Sequence, residues 1–407
     1  MKYISRHLER KFLKMSSFFK VVLVTGARQV GKTTMLKHLA ESNRTYVTLD
    51  DLMARGLAKT DPVLFFQTYR PPVIIDEVQY APELFSQIKI LCDESEQPGI
   101  IWLTGSQQFE MMKNVRETLA GRIGILELFS LSQSEKNGVS FEAPLDFSLE
   151  CLQSRQKQAA KNDVQTVFEQ IWRGGMPQVQ LADSELRQEY FNSYINTYLM
   201  RDVAELGGIT DSLKFGKFLT ACAALIGEQV NYKTMADAAE ISQPTAKEWV
   251  RLLDGLGILY MMQPFSNNQL KRLARTPKLY FLDTGLAAFL SMWPTPETLM
   301  NGAASGHFYE NYVVAELVKN YAYAESKANL TYYRDANAKE IDVFVESAGL
   351  IHPLEIKKSA NPDRREVKKF DLLEKSDIPR GSGGIVCMCE QAVPIDAKNS
   401  FIPSNLI

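Results

Sequence analysis

At 407 residues the chain is too long for one ordinary core, so two to four domains are expected, and 45% hydrophobic with 23% charged residues is the composition of a soluble globular protein. A net charge of −2 gives the whole chain no nucleic-acid signature, so any such surface must be local. Five scattered cysteines form neither a disulfide framework nor a CxxC knuckle, and no apolar run reaches the roughly 18 residues of a membrane span, so a cytoplasmic protein is expected.

From Val21 to about Leu131 the runs VVLV, YVTL, PVIID, IIWLTG and ILEL alternate with helical stretches. This alternation predicts a parallel α/β sheet covered on both faces. Phe141 to Ala160 is polar and rich in Gln, Lys and Ser, the mark of a boundary or flexible loop. Val164 to about Leu206 predicts helix, broken at RGGMPQV by Gly174, Gly175 and Pro177. Lys214 to Asp283 predicts helices followed by a strand pair, GLGILYMMQPF and KLYFLD, around the polar turn Ser266–Gln269. A helix from about His307 to Tyr321 then precedes the strand-like runs LTYYR, EIDVFVE and IHPLEIKK, and a last α/β stretch ends in GGIVCMC. Cys387 and Cys389 alternate on that strand and read as buried thiols.

GARQVGKT, from Gly26 to Thr33, fits G-x-x-x-x-G-K-[ST] between the strand VVLVT and the helix TTMLKHLA, the context that this motif requires. Glycines let the backbone curl so that N–H groups face phosphate oxygens, and the following helix adds its positive end. The expected ATP-binding residues are therefore Gly26, Ala27, Arg28, Gln29, Val30, Gly31, Lys32, Thr33 and Thr34, with Lys32 on the β/γ-phosphates and the Thr33 hydroxyl on Mg²⁺. PPVIIDEV ends an apolar strand in Asp76, placed to serve the metal, and Glu77, placed to polarise the attacking water. A DE pair alone is a common sequence; beside a P-loop it is specific. The polar turn after Thr104 offers Ser106 or Gln107 as a γ-phosphate sensor, or as ordinary turn residues, and Arg122 in TLAGRIG is a candidate arginine finger.

The order GARQVGKT, VIIDEVQ, LTGSQQF, LAGRI and GGMPQV resembles the AAA-type ATPases, and more closely a prokaryotic group that carries a C-terminal domain of unknown function (the DUF4143 type). That resemblance spans nearly the whole chain and implies a helical lid holding the GG-x-P element.

In the middle, YKTMADAAEISQPTAKEWVRLLDGLGIL reads as helix, turn and helix, with Ser242 as N-cap. Ala246, Trp249, Val250 and Leu253 make one apolar face, and Gln243, Thr245, Lys247 and Arg251 lie on the other. Lys271, Arg272, Arg275 and Lys278 follow as a basic cluster on the strand pair. This is the equipment of a winged helix that contacts DNA, although winged helices also serve protein contacts alone.

In the tail, Glu310 on a helix, Asp342 in EIDVFV, and Glu355 with Lys357 in LEIKK are candidates for a second Mg²⁺ site able to cleave phosphodiesters. They resemble the PD-(D/E)xK nuclease fold in order, without a proline before Asp342. An E-x-K triplet on an exposed strand face is the plainer alternative.

The expected architecture is an AAA-type P-loop ATPase core (1–137), a helical lid (138–213), a winged helix (214–298) and a restriction-endonuclease-like α/β domain (299–407). The expected function is ATP hydrolysis coupled to DNA handling, with homo-oligomers possible and no membrane partner. The alternatives are an ATP-gated nuclease and an ATP-driven switch acting on proteins.

Overall fold

The computed structural model describes residues 3–105, 115, 117–141, 144–160, 163–209, 211–266, 276–324, 328–335, 339–375 and 378–407. The chain divides into two compact units, residues 1–130 with 255–257, and residues 131–254 with 258–407.

The first unit is built on five parallel strands: β1 (Val21–Thr25), β2 (Thr45–Thr48), β3 (Val73–Asp76), β4 (Ile101–Thr104) and β5 (Ile123–Glu127). Their order is β2-β3-β4-β1-β5. β1, β3 and β4 are buried at every position, as continuous apolar strands must be when helices cover both faces. Each Val, Ile or Leu withdrawn in this way contributes about 1.5–3 kcal/mol. Helix α1 (Leu8–Ser16) packs on β1 and β5, and Phe12 meets Trp102 of β4 edge to face. Helix α2 (Lys32–Leu39) follows β1 directly. All parallel strands point the same way, so their C-terminal ends gather Thr25, Thr48, Asp76 and Thr104 along one edge.

The second unit joins helices to an eight-stranded mixed sheet. Helix α3 (Val164–Arg173) buries Val167, Phe168, Ile171 and Trp172 on one face. Just past it the Gly175 amide donates to Asp283 Oδ2 at 2.8 Å. The helix-turn-helix is α4 (Tyr232–Ala239) and α5 (Gln243–Gly255), turning at Glu240 in the left-handed region. The stretch expected as a boundary or loop instead forms a helix, Leu149–Gln156, capped by the Ser148 hydroxyl. Its Leu152 and Arg155 are buried, and Arg155 donates to the Leu406 carbonyl at 2.9 Å, so the polar composition had concealed one inward face.

Strands β6 (Leu259–Pro264) and β7 (Lys278–Phe281) pair antiparallel. Helix α6 (Ser305–Tyr323) then leads to β8 (Ala328–Arg334), β9 (Glu340–Ser347) and β10 (Leu350–Lys357), an antiparallel meander. A 3₁₀ segment, Arg364–Lys375, connects to β11 (Gly383–Cys387), which lies parallel to β10. β6 pairs parallel with β8, so the strand pair assigned from sequence to a winged helix is one edge of the C-terminal sheet, and that sheet crosses the boundary expected at 298.

Candidate functional site

The nucleotide loop begins where β1 ends. Gly26 takes φ +136°, and a Cβ there would lie 2.1 Å from the Leu128 carbonyl oxygen, so only glycine fits. Gly31 takes φ 98° and reverses the chain into α2, whose first residue is Lys32. The Lys32 ammonium curls back on the loop, donating to the carbonyls of Gly26 at 3.0 Å and Ala27 at 2.9 Å. Arg6 supports the loop from outside the motif, donating to the Val30 carbonyl at 2.8 Å and the Phe129 carbonyl at 2.7 Å. Thr34 is exposed on the first turn of α2, and Arg28 reaches the Tyr80 hydroxyl at 3.4 Å.

Asp76 is the centre of the site. Its Oδ1 accepts from Thr33 Oγ1 at 2.6 Å and Thr104 Oγ1 at 2.5 Å, and its Oδ2 accepts from the Tyr46 hydroxyl at 3.1 Å. Burial, and then the Asp76 charge, push the Tyr46 phenol up to about 12, so it stays a donor. The Thr33–Asp76 contact joins a hydroxyl and a carboxylate, the hard oxygen donors that Mg²⁺ takes beside phosphates. Glu77 sits in the left-handed region at φ 57°, ψ 47°, a conformation that costs a non-glycine residue about 1 kcal/mol or more. The Glu77 amide donates to Thr104 Oγ1 at 3.0 Å, and its Oε2 accepts from Gln79 Nε2 at 2.5 Å. Thr104, Tyr46, Gln79 and Arg6 were not singled out from sequence as site residues. Ser106 and Gln107 lie outside the described residues.

The carboxylates of the C-terminal domain lie close together, and lysines lie among them. Lys278 and Tyr280, two apart on β7, share a face. Both donate to Glu310 Oε1, at 3.1 Å and 2.6 Å, and the Lys278 ammonium also pairs with Glu340 Oε1 at 2.5 Å. Register between β9 and β10 runs to Val343 opposite Leu354, one step short of Asp342 and Glu355. Asp342 Oδ2 accepts from the Ile356 amide at 2.7 Å and lies 3.7 Å from Lys357 Nζ. Glu355, 1% exposed, receives Lys357 at 2.9 Å and Lys369 at 3.1 Å on Oε2. Its Oε1 is buried with no donor among the described residues. Burial and then the Asp342 charge push the Glu355 carboxyl up to about 7 despite both lysines, so that oxygen can carry the proton near neutral pH. Burial and then Asp342 raise Glu310 as well. Among the described residues no group of three or more His, Cys, Asp or Glu side chains is arranged to hold a metal ion. Although Glu355 Oε1 is left without a donor, Glu310 and Asp342 already meet an ammonium and an amide, so the donor set does not suit the second Mg²⁺ expected at Glu310, Asp342 and Glu355.

Residues 18–137 match the family model described as an AAA domain. The chain carries an AAA-type P-loop ATPase domain. Residues 164–297 and 305–407 match two families described as domains of unknown function, DUF8612 and DUF4143. Over 391 residues, 95% of this chain and 80% of theirs, the sequence is 28% identical to uncharacterized proteins of Mycobacterium bovis and Mycobacterium tuberculosis. Among solved structures, a Walker-type ATPase of Pyrococcus abyssi is similar with a TM-score of 0.45 at 16% identity, covering 71% of this chain and 96% of that one. A RuvB variant of Thermotoga maritima is similar with a TM-score of 0.27 at 15% identity, covering 66% of this chain and 91% of that one.

Within the AAA domain Arg122 lies at the edge of the sheet opposite the P-loop. Its carbonyl accepts from the Val21 amide at the start of β1, and its guanidinium pairs with Asp93 at 2.7 Å. A strand of this length, at roughly 3.3 Å per residue, holds it about 13 Å from the phosphate edge. At that edge Arg122 does not reach the phosphate site of its own subunit. Lys278, expected on a basic wing, is corrected: it is 4% exposed and ion-paired. Lys271, Arg272 and Arg275 lie outside the described residues. On α5, Ala246, Trp249, Val250 and Leu253 are buried while Gln243, Lys247 and Arg251 are exposed. No helix among the described residues is long and apolar enough to cross a membrane.

Proposed function

We propose that this AAA-type ATPase couples ATP hydrolysis to the handling of DNA. In this reading Gly26 to Thr34 cradle the triphosphate and Lys32 leaves its loop carbonyls for the β/γ-phosphates. Thr33 and Asp76 would hold Mg²⁺, which would draw negative charge off the transferred phosphoryl group. Glu77, steadied by Gln79, polarises the attacking water. Arg122, too far from its own P-loop, serves only a neighbouring subunit's nucleotide in a homo-oligomer.

The DNA half rests on one observation, the two-sided character of α5. Its apolar side is consumed by the core, and the exposed side presents Gln243, Lys247 and Arg251 after a tight turn. A glutamine and two cations on one exposed helix face are groups that hydrogen-bond base edges and neutralise phosphates. Fluorescence anisotropy with duplex DNA across a salt series tests this. Lys247→Ala with Arg251→Ala should weaken binding and lower the salt slope by about 1.8, the effect of two lost phosphate contacts. Unchanged affinity and slope would remove α5 from any DNA contact.

A further inference from the structure

We propose that the Lys278 ammonium takes the place of a divalent cation in the C-terminal domain, leaving its carboxylate cluster free of metal. The inference rests on the same carboxylate site and departs from the metal chemistry expected of it.

Lys278 comes from β7, at the far edge of the sheet, yet its side chain is 5% exposed. Its nitrogen bridges Glu310, from helix α6, and Glu340, from β9. Those are different elements, and a cation between them does what a bound dication does: it cancels carboxylate repulsion and ties helix to sheet. Tyr280 adds a donor to the same Glu310 oxygen, an arrangement suited to a carboxylate fixed by N–H and O–H groups. On the neighbouring side Lys357 and Lys369 both serve Glu355, and the Ile356 amide caps Asp342. Five carboxylates, Glu310, Glu340, Asp342, Glu355 and Glu366, therefore face three ammonium groups, with Arg334 also 3.4 Å from Glu340. The charge is close to balanced without a metal. A dication seated between Glu310 and Glu340 would have to displace the buried Lys278 ammonium and leave it unpaired, which is strongly unfavourable. The same lysine fastens the β6–β7 pair to the rest of the C-terminal domain.

The test uses the full-length chain, stripped with EDTA and free of nucleotide, in an Asp76→Asn background that silences the cation position beside the P-loop. Mn²⁺ is titrated by calorimetry and by thermal unfolding. The otherwise unaltered chain should neither bind Mn²⁺ at this cluster nor shift its melting temperature. Lys278→Met should remove the ammonium between Glu310 and Glu340 and create Mn²⁺ binding at least about tenfold tighter than any shown by the chain with Lys278 intact. Adding Glu310→Gln should cancel that gain. Lys278→Gln, which keeps a donor toward Glu310, serves as the second variant if the methionine does not fold. Mn²⁺ binding by the chain with Lys278 intact, lost on Asp342→Asn, overturns the proposal and leaves a metal site standing. A folded Lys278 variant that remains indifferent to Mn²⁺ overturns it differently, by showing that the carboxylates do not converge on one cation.

Discussion

Replacing Glu355 by Gln should stabilise the protein, and increasingly so as pH rises. The side chain is 1% exposed, and its carboxyl titrates at about 7 against an ordinary value of 4.5, raised by burial and by Asp342. A folded value above the unfolded one means that the unfolded chain ionises first. The penalty is absent below about pH 4.5, grows between there and about 7, and is constant above. At 1.36 kcal/mol per pH unit this displacement corresponds to roughly 3 kcal/mol. Glutamine mimics the protonated acid, so the variant should match the parent near pH 4 and exceed it by an amount of that order at pH 8. Urea unfolding of both chains at a series of pH values measures the difference, and titrating groups remote from Glu355 cancel in the comparison. A difference that stays flat across this window, or one that favours glutamate at pH 8, would refute the reasoning. It would mean that Lys357 and Lys369 outweigh burial, and that Glu355 is a fully compensated ion.

Lys32→Ala should abolish ATP binding by calorimetry, because the charge now resting on Gly26 and Ala27 carbonyls is the one available to the phosphates. Glu77→Gln should still bind ATP but release phosphate at least roughly a hundredfold more slowly, and parental turnover would exclude Glu77 as the base. Arg122→Ala should change the turnover of dilute, monomeric protein by less than about twofold, since its pairing with Asp93 is at the wrong edge of the sheet. In the homo-oligomer, where the arginine acts between subunits, mixing Arg122→Ala with Lys32→Ala protein should restore activity where an intact arginine meets an intact P-loop, and no rescue would count against that role.

What the sequence determined by itself was what is local in the chain. GARQVGKT could be read because strand, loop and helix are contiguous, and its glycines are required by backbone geometry at the spot they occupy. VIIDE could be read because an apolar strand ending in carboxylates has one sensible place in a parallel sheet, its C-terminal edge. The apolar stripe of α5 was legible through its period alone. The partners of Asp76 were not. Tyr46 and Thr104 lie on β2 and β4, the two strands that flank β3, and only the order β2-β3-β4 brings residues 30 and 28 positions away onto one carboxylate. Arg122 reads the same in sequence at either end of a strand; the direction of β5 decides that it lies far from the phosphates. Lys278 carries the same charge in a wing as in a core. Tertiary structure decided its role, because β6 pairs with β8 and so makes β7 an edge of the C-terminal sheet, turning that lysine inward onto Glu310 and Glu340.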